Sequence, residues 1–153
     1  MLARVRSAAV LGVDAYLVDV EVDIANGLPS FSTVGLPHGA VREGRERVGA
    51  ALANAGYQLP LKRITVNLAP ADIRKEGTAL DLPIALAILV ASGQLPADAL
   101  DACVALGEVG LEGDLRPVRG ALAMALAARA GGVATLFLPA ANVPEAAVVD
   151  GLA

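Results

Sequence analysis

Polar groups able to do chemistry crowd into one short stretch: Asp72, Arg74, Lys75, Glu76, Thr78 and Asp81, between a β-like run and an apolar run. A hydroxyl beside a lysine is a minimal pair for nucleophilic catalysis, because a neutral amine can take the hydroxyl proton. Lys75 lies close to Thr78 in sequence, but spacing along a turn does not by itself bring the two within hydrogen-bond reach. The same residues read as a solvated turn or as a contact site carried by a rigid scaffold, and Asp81 is placed to accept backbone amides at a helix start.

Other chemistries lack their residues. A phosphate-binding loop ends in Lys followed by Ser or Thr, whereas Lys62 and Lys75, the only lysines, precede Arg63 and Glu76. His38 is the single histidine and Cys103 the single cysteine, so neither has partners for a metal site. His38 reads as a capping or surface residue, and Cys103, inside ALDACVALG, as a small buried thiol. One cysteine makes no internal disulfide, which fits a reducing, cytoplasmic compartment. Gly107, Gly110 and Gly113 lie between β-like runs and read as a turn rather than a phosphate cradle.

The elements that must position these groups follow from periodicity. Residues Ala15–Ile24 alternate apolar and acidic residues, a strand with one wet face. Ala3–Leu11 precedes it across Gly12–Asp14 as a hairpin partner, and Ser30–Val34 gives a third strand that completes an initial antiparallel meander. From His38 to Ala55 the period is helical: Val41, Val48, Leu52 and Ala55 share a stripe, with Arg42, Glu43, Arg45, Glu46 and Arg47 mostly outside it. Arg42 with Glu46 and Glu43 with Arg47 are spaced as i,i+4 pairs. That charged face is either solvated or a subunit or nucleic-acid contact through its arginines.

Further along, Arg63–Leu68, Val104–Val109, Leu115–Val118 and Ala134–Leu138 read as strands, and Leu80–Ser92, Gly120–Ala130 and Val143–Val149 as helices. The expected class is α/β (α+β), a mixed sheet with packed helices. At 153 residues the chain fits one domain. With 56% hydrophobic but only 3% aromatic residues, its core must be aliphatic. A formal charge of −4 argues against a domain-wide footprint for nucleic acid, leaving only a local basic patch. The longest apolar run, Leu80–Ala91, is too short to span a bilayer, and the acidic strand after the amino terminus does not suit a secretory signal. The ending Gly151, Leu152, Ala153 carries no terminating signal and reads as that of a fragment.

Two segments carry a family resemblance. LPSFSTVGLPHGAVREGRERVGAALANAGYQLPLKRITVNLAPADIRKEGTALDLPIALAIL, from Leu28 to Leu89, and the later GEVGLEGDLRPVRGALAMALAARAGG resemble the amino-terminal domain of the magnesium-chelatase-like ComM (YifB) family. The resemblance implies the two-layer fold of the Lon protease catalytic domain, shared with ribosomal-protein relatives. It implies a following AAA+ module that binds ATP and magnesium, with no cofactor in this domain, and a ring-shaped DNA branch-migration motor active in natural transformation. The implied partners are the ATPase module, neighbouring subunits and DNA. Lon activates a serine with a lysine; its serine stretch matches KEGTALD and its lysine stretch matches RGALAMALAA, which puts Ala79 and Met124 at the two positions. Neither can perform the chemistry, so the resemblance implies a non-catalytic domain, with use of Thr78 as the alternative. Interaction candidates are then Arg42, Arg45, Arg74, Lys75, Glu76 and Asp81. Metal insertion into a porphyrin, the literal sense of the family name, finds no aromatic or metal-ligating cluster here.

Overall fold

The structure, a computed structural model, describes residues 1–153. It begins with a long hairpin of β1 (Leu2–Leu11) and β2 (Asp14–Ala25), in register from Leu2 opposite Asp23 to Leu11 opposite Asp14. A two-residue connection at Gly12 and Val13 closes it, with Gly12 at φ 65°, where a side chain would be strained. Val18, Val20, Val22 and Ile24 point inward, and the acidic residues between them face outward, as the alternation requires.

β3 (Ser30–Val34) does not extend that hairpin into a meander. β4 (Arg63–Ala69) lies between β3 and β2, antiparallel to β2 and parallel to β3. Parallel neighbours need a crossover, and α1 (Ala40–Asn54) supplies it, burying Val41, Val48, Ala51 and Leu52. After β4 come the charged turn and α2 (Asp81–Ala91), the most apolar helix and the centre of the larger core cluster.

Across the other edge of β1 the sheet adds β5 (Cys103–Ala105). The sequence suggests one strand through Val109, but the chain leaves the sheet after Ala105. The Leu106 amide still donates to Phe137, whereas the Gly107 amide donates to Ala79 and the Gly107 carbonyl accepts from Leu82. The departure thus satisfies an orphan amide at the start of α2. The short strands β6 (Glu108–Val109) and β7 (Leu115–Arg116) then form a separate antiparallel ribbon, with Gly110 and Gly113 in its turn.

α3 (Ala121–Ala130) and β8 (Thr135–Phe137) follow, with β8 parallel to β5. The last predicted helix is shorter than its sequence pattern: a 3₁₀ turn at Ala140–Asn142 leads into α4 (Val143–Ala146). Asn142 spends its side chain on Val118, accepting from its amide and donating to its carbonyl, both at 2.9 Å. The six-stranded sheet has the order β3-β4-β2-β1-β5-β8.

Helices cover both sheet faces. Val5, Val20 and Val66 pack with α1 and α2 in one cluster, while Ala8, Val104 and Leu136 pack with α3 and α4 in the other. The arrangement is therefore three-layered where the resemblance implied two layers. No helix is long and apolar enough to cross a membrane.

Candidate functional site

A cleft of about 680 Å³ opens where the end of β1 meets the first turns of α2 and α3. Ala8, Ala9 and Val10 form one wall, Glu76 to Leu80 a second, and Pro117 to Gly120 a third, with Glu108 and Met124 completing it. Backbone hydrogen bonds hold the second wall: Asp81 donates its amide to Thr78, and Ala79 accepts from Gly107. Gly120, at φ 83°, caps α3 so closely against β1 that a Cβ there would lie 2.5 Å from a Val10 methyl.

Ala79 and Met124 line this one cleft, although 45 positions separate them in sequence. Ala79 is half-buried and Met124 almost fully buried, so aliphatic and thioether groups occupy the two positions. Thr78 lies on the same wall, and Glu76, Glu108 and Arg119 bring charge to the cleft.

Lys75 does not join them. Its side chain is fully buried, with Nζ donating to the carbonyls of Gly35, at 2.8 Å, and Pro70. Its backbone is also fastened, the amide to Leu36 and the carbonyl to His38. Burial lowers its proton affinity, with Asp72 pulling the other way. As an exposed contact or as a base for Thr78, Lys75 is corrected: the ammonium is an internal tie between the β3–α1 connection and the charged turn. Gly35 makes this approach possible, because a Cβ there would collide with the Leu68 backbone.

Asp81 is corrected in the same way. It is 1% exposed and caps no helix amide of its own. Its carboxylate meets Arg47, with Nε to Oδ2 at 2.7 Å and Nη2 to Oδ1 at 3.0 Å, and also accepts the Val109 amide at 3.3 Å. Arg47 Nη2 donates further to the Ala40 carbonyl at 2.7 Å. Burial pushes the Asp81 carboxyl above the usual carboxylate range against the pull of Arg47. Helical periodicity alone puts Arg47 on the charged outer face of α1. The signals that mark it are an acid inside an apolar run, which demands a partner, and Gly44, whose missing Cβ leaves room for Asp81 Oδ1.

Arg42, Arg45, Arg74 and Glu76 are exposed. Arg42 donates to the Pro37 carbonyl rather than pairing with Glu46, which instead contacts Arg45 at 3.5 Å. Arg74 pairs with Glu76 at 2.7 Å. A bridge between Pro37 and Lys75 sets the start of α1 beside the charged turn, so Arg42 and Arg74 flank one junction. Exposed His38 makes no side-chain cap; Gly39 occupies that position. Cys103 is buried and its thiol donates to the Leu100 carbonyl. No group of three His, Cys, Asp or Glu side chains is arranged to hold a metal ion.

Fold and cleft together define a three-layered α/β domain with a cleft in which Ala79 and Met124 lie beside Thr78, Glu76, Glu108 and Arg119. A family described as subunit ChlI of Mg-chelatase matches residues 20–142. The chain belongs to that family. It is 53% identical over 131 residues to YifB of Salmonella typhimurium, a match covering 85% of this chain and 26% of the relative. To YifB of Escherichia coli it is 46% identical, covering 98% of this chain and 29% of the relative. To the competence protein ComM of Haemophilus influenzae it is 48% identical, covering 97% of this chain and 29% of the relative. The chain thus spans about three tenths of the length of such relatives.

Proposed function

We propose that this chain is the non-catalytic amino-terminal domain of a cytoplasmic, magnesium-chelatase-like AAA+ ATPase of the ComM type. In this reading the domain helps arrange neighbouring subunits of a ring and offers a contact surface to DNA or a partner. ATP and magnesium bind in the ATPase module that follows, and branch migration of DNA is the work of the whole ring. The observation that carries the reading is the meeting of Ala79 and Met124 in one cleft. Those are the positions that a Lon-like arrangement would give to a serine and a lysine, and here neither side chain can attack or accept a proton.

Contact falls most naturally at the junction flanked by Arg42 and Arg74, with Arg45 one turn along α1. These guanidiniums are solvent-exposed, suited to phosphate or carboxylate groups. The test compares full-length protein with a form lacking residues 1–153, by light scattering with nucleotide and by ATPase assays with branched DNA. Impaired ring assembly or loss of DNA stimulation is the expected result; unchanged rings with unchanged stimulation reject the reading.

A hydrolase using Thr78 is the second reading, and Thr78 does line the cleft. Lys75 is already committed to two carbonyls, so Thr78 lacks its nearest candidate base. Peptidase activity abolished by Thr78→Ala would establish this alternative.

A further inference from the structure

The outer edge of β8 is half-way into a further strand. Ala153 donates its amide to the Ala134 carbonyl at 2.8 Å, and the Ala153 carbonyl accepts the Leu136 amide at 2.9 Å. One residue giving to a position and receiving from the position two further on is the repeating unit of a parallel ladder. It sets Ala153 opposite Thr135 on the side of β8 away from β5. The next unit would use the Leu136 carbonyl and the Leu138 amide on that edge, and the Leu138 amide has no hydrogen-bond partner.

Beside this edge lies a hollow of about 200 Å³ lined only by apolar residues, among them Leu136, Leu138, Val143, Val149 and Leu152. Val143 in its lining and Phe137 on the opposite face of β8 are each almost half exposed. Opposed residues of a parallel ladder project to the same side, so a strand in this register sends alternate side chains toward the hollow and toward Phe137.

We infer that the outer edge of β8 receives a seventh strand, parallel to it, made by the protein's own segment that continues past Ala153 toward the ATPase module. The inference rests on the proposed order of domains. The occupant is set by backbone continuity, because the residue already seated in the ladder is the one that segment would extend. The first residue beyond Ala153 fills the hollow beside Leu136 and Leu138, and the second lies opposite Phe137. The connection between the two domains then leaves this domain as part of its sheet rather than as a free tether.

The test is disulfide trapping in the full-length protein. Phe137→Cys is combined with a cysteine substituted two residues beyond Ala153; the control moves the second cysteine one residue closer, which turns it to the opposite face. Opposed residues of neighbouring strands lie within the Cα separation that a disulfide spans. Loss of both added thiols, with a cross-link inside one subunit for the first pair and none for the control, is the expected result; native Cys103 is buried and does not compete. No cross-link in either, equal cross-linking in both, or a cross-link joining two subunits overturns the inference. A ring that fails to assemble leaves this readout intact, since the bond forms within one subunit, so failure of the assembly reading is separately visible.

Discussion

Arg47 and Asp81 meet across the seam between α1 and α2 in a two-pronged ion pair, with contacts of 2.7 and 3.0 Å. The acid also holds the Val109 amide, so one buried carboxylate joins two helices to the β6–β7 ribbon. Removing the cation strands the carboxylate in an apolar seam. Arg47→Ala should cost about 3–5 kcal/mol in urea unfolding. Arg47→Met combined with Asp81→Leu should recover most of that loss, and a double variant as unstable as the single one would contradict the argument.

Gly44 leaves space for this pair. A Cβ there would sit 2.7 Å from Asp81 Oδ1, on a carboxylate fixed from two sides. Gly44→Ala should therefore destabilise by about 1–3 kcal/mol, although alanine is the better helix former. A thermal midpoint raised by the substitution would show that the pair is free to move aside.

Lys75 makes a contribution of definite sign to the alkaline side of the stability curve, opposite to those of buried Cys103 and partly buried Tyr16. Burial depresses its proton affinity in the folded chain, so between its folded value and the ordinary lysine value the unfolded chain holds more protons. Folding stability contributed by this group is reduced at neutral pH and rises as pH climbs through that window. Lys75→Met should remove this contribution, so that stability rises less, or falls more, with pH than in the parent protein. It should also lower overall stability by about 1–3 kcal/mol, because the carbonyls of Gly35 and Pro70 lose their donor. Chemical denaturation at a series of pH values between neutrality and 10.5 measures both effects.

Two carboxylates titrate on opposite sides of the ordinary range. Hydrogen bonds from Asn67, at 2.8 Å, and from Arg4, at 2.9 Å, hold Glu21 low. Its stabilisation is present above its unfolded value and disappears as pH falls through the lower, folded one. Asp81 is pushed up, chiefly by burial, so the folded chain takes up that proton first, and the stability contributed by this group grows on mild acidification. Carbon-13 titration of the side-chain carboxyls should separate the two, and Asn67→Ala should move Glu21 upward while leaving Asp81 in place.

The sequence made the sheet legible where one face is wet and one dry. In β2 the acids at positions 19, 21 and 23 mark the solvated part of one face, whereas Ala15 and Leu17 on that same face pack against the second core cluster. It did not reveal that β4 inserts beside β2, because strand order depends on which edges a crossover helix can reach. The run Val104–Val109 looked continuous because apolar content carries no mark of the point where backbone amides change partner. At the cleft, the meeting of Ala79 and Met124 in one wall-to-wall space is a property of the tertiary arrangement. Lys75 and Asp81 looked like surface groups because charge in a sequence says nothing of depth; only Asp81, set in an apolar helix, advertised its need for a partner.

The placement of β1 sets the timetable of the molecule's synthesis. One edge of β1 pairs with β2 across a two-residue turn, while its other edge waits for β5, with Arg6 opposite Val104 about 100 residues later. At ribosomal speeds of roughly 5–20 residues per second, the hairpin emerges with that edge bare for about 5–20 s. A strand left open for that long invites pairing with other nascent chains. Arg4 and Arg6, exposed on the outer face of β1, keep that face polar during the interval, Arg4 in an ion pair with Glu21 of the same hairpin. They flank an edge that β5 later covers around Arg6, so their replacement by apolar residues should appear as lost soluble yield from ribosomes before it appears as lost stability in the purified protein.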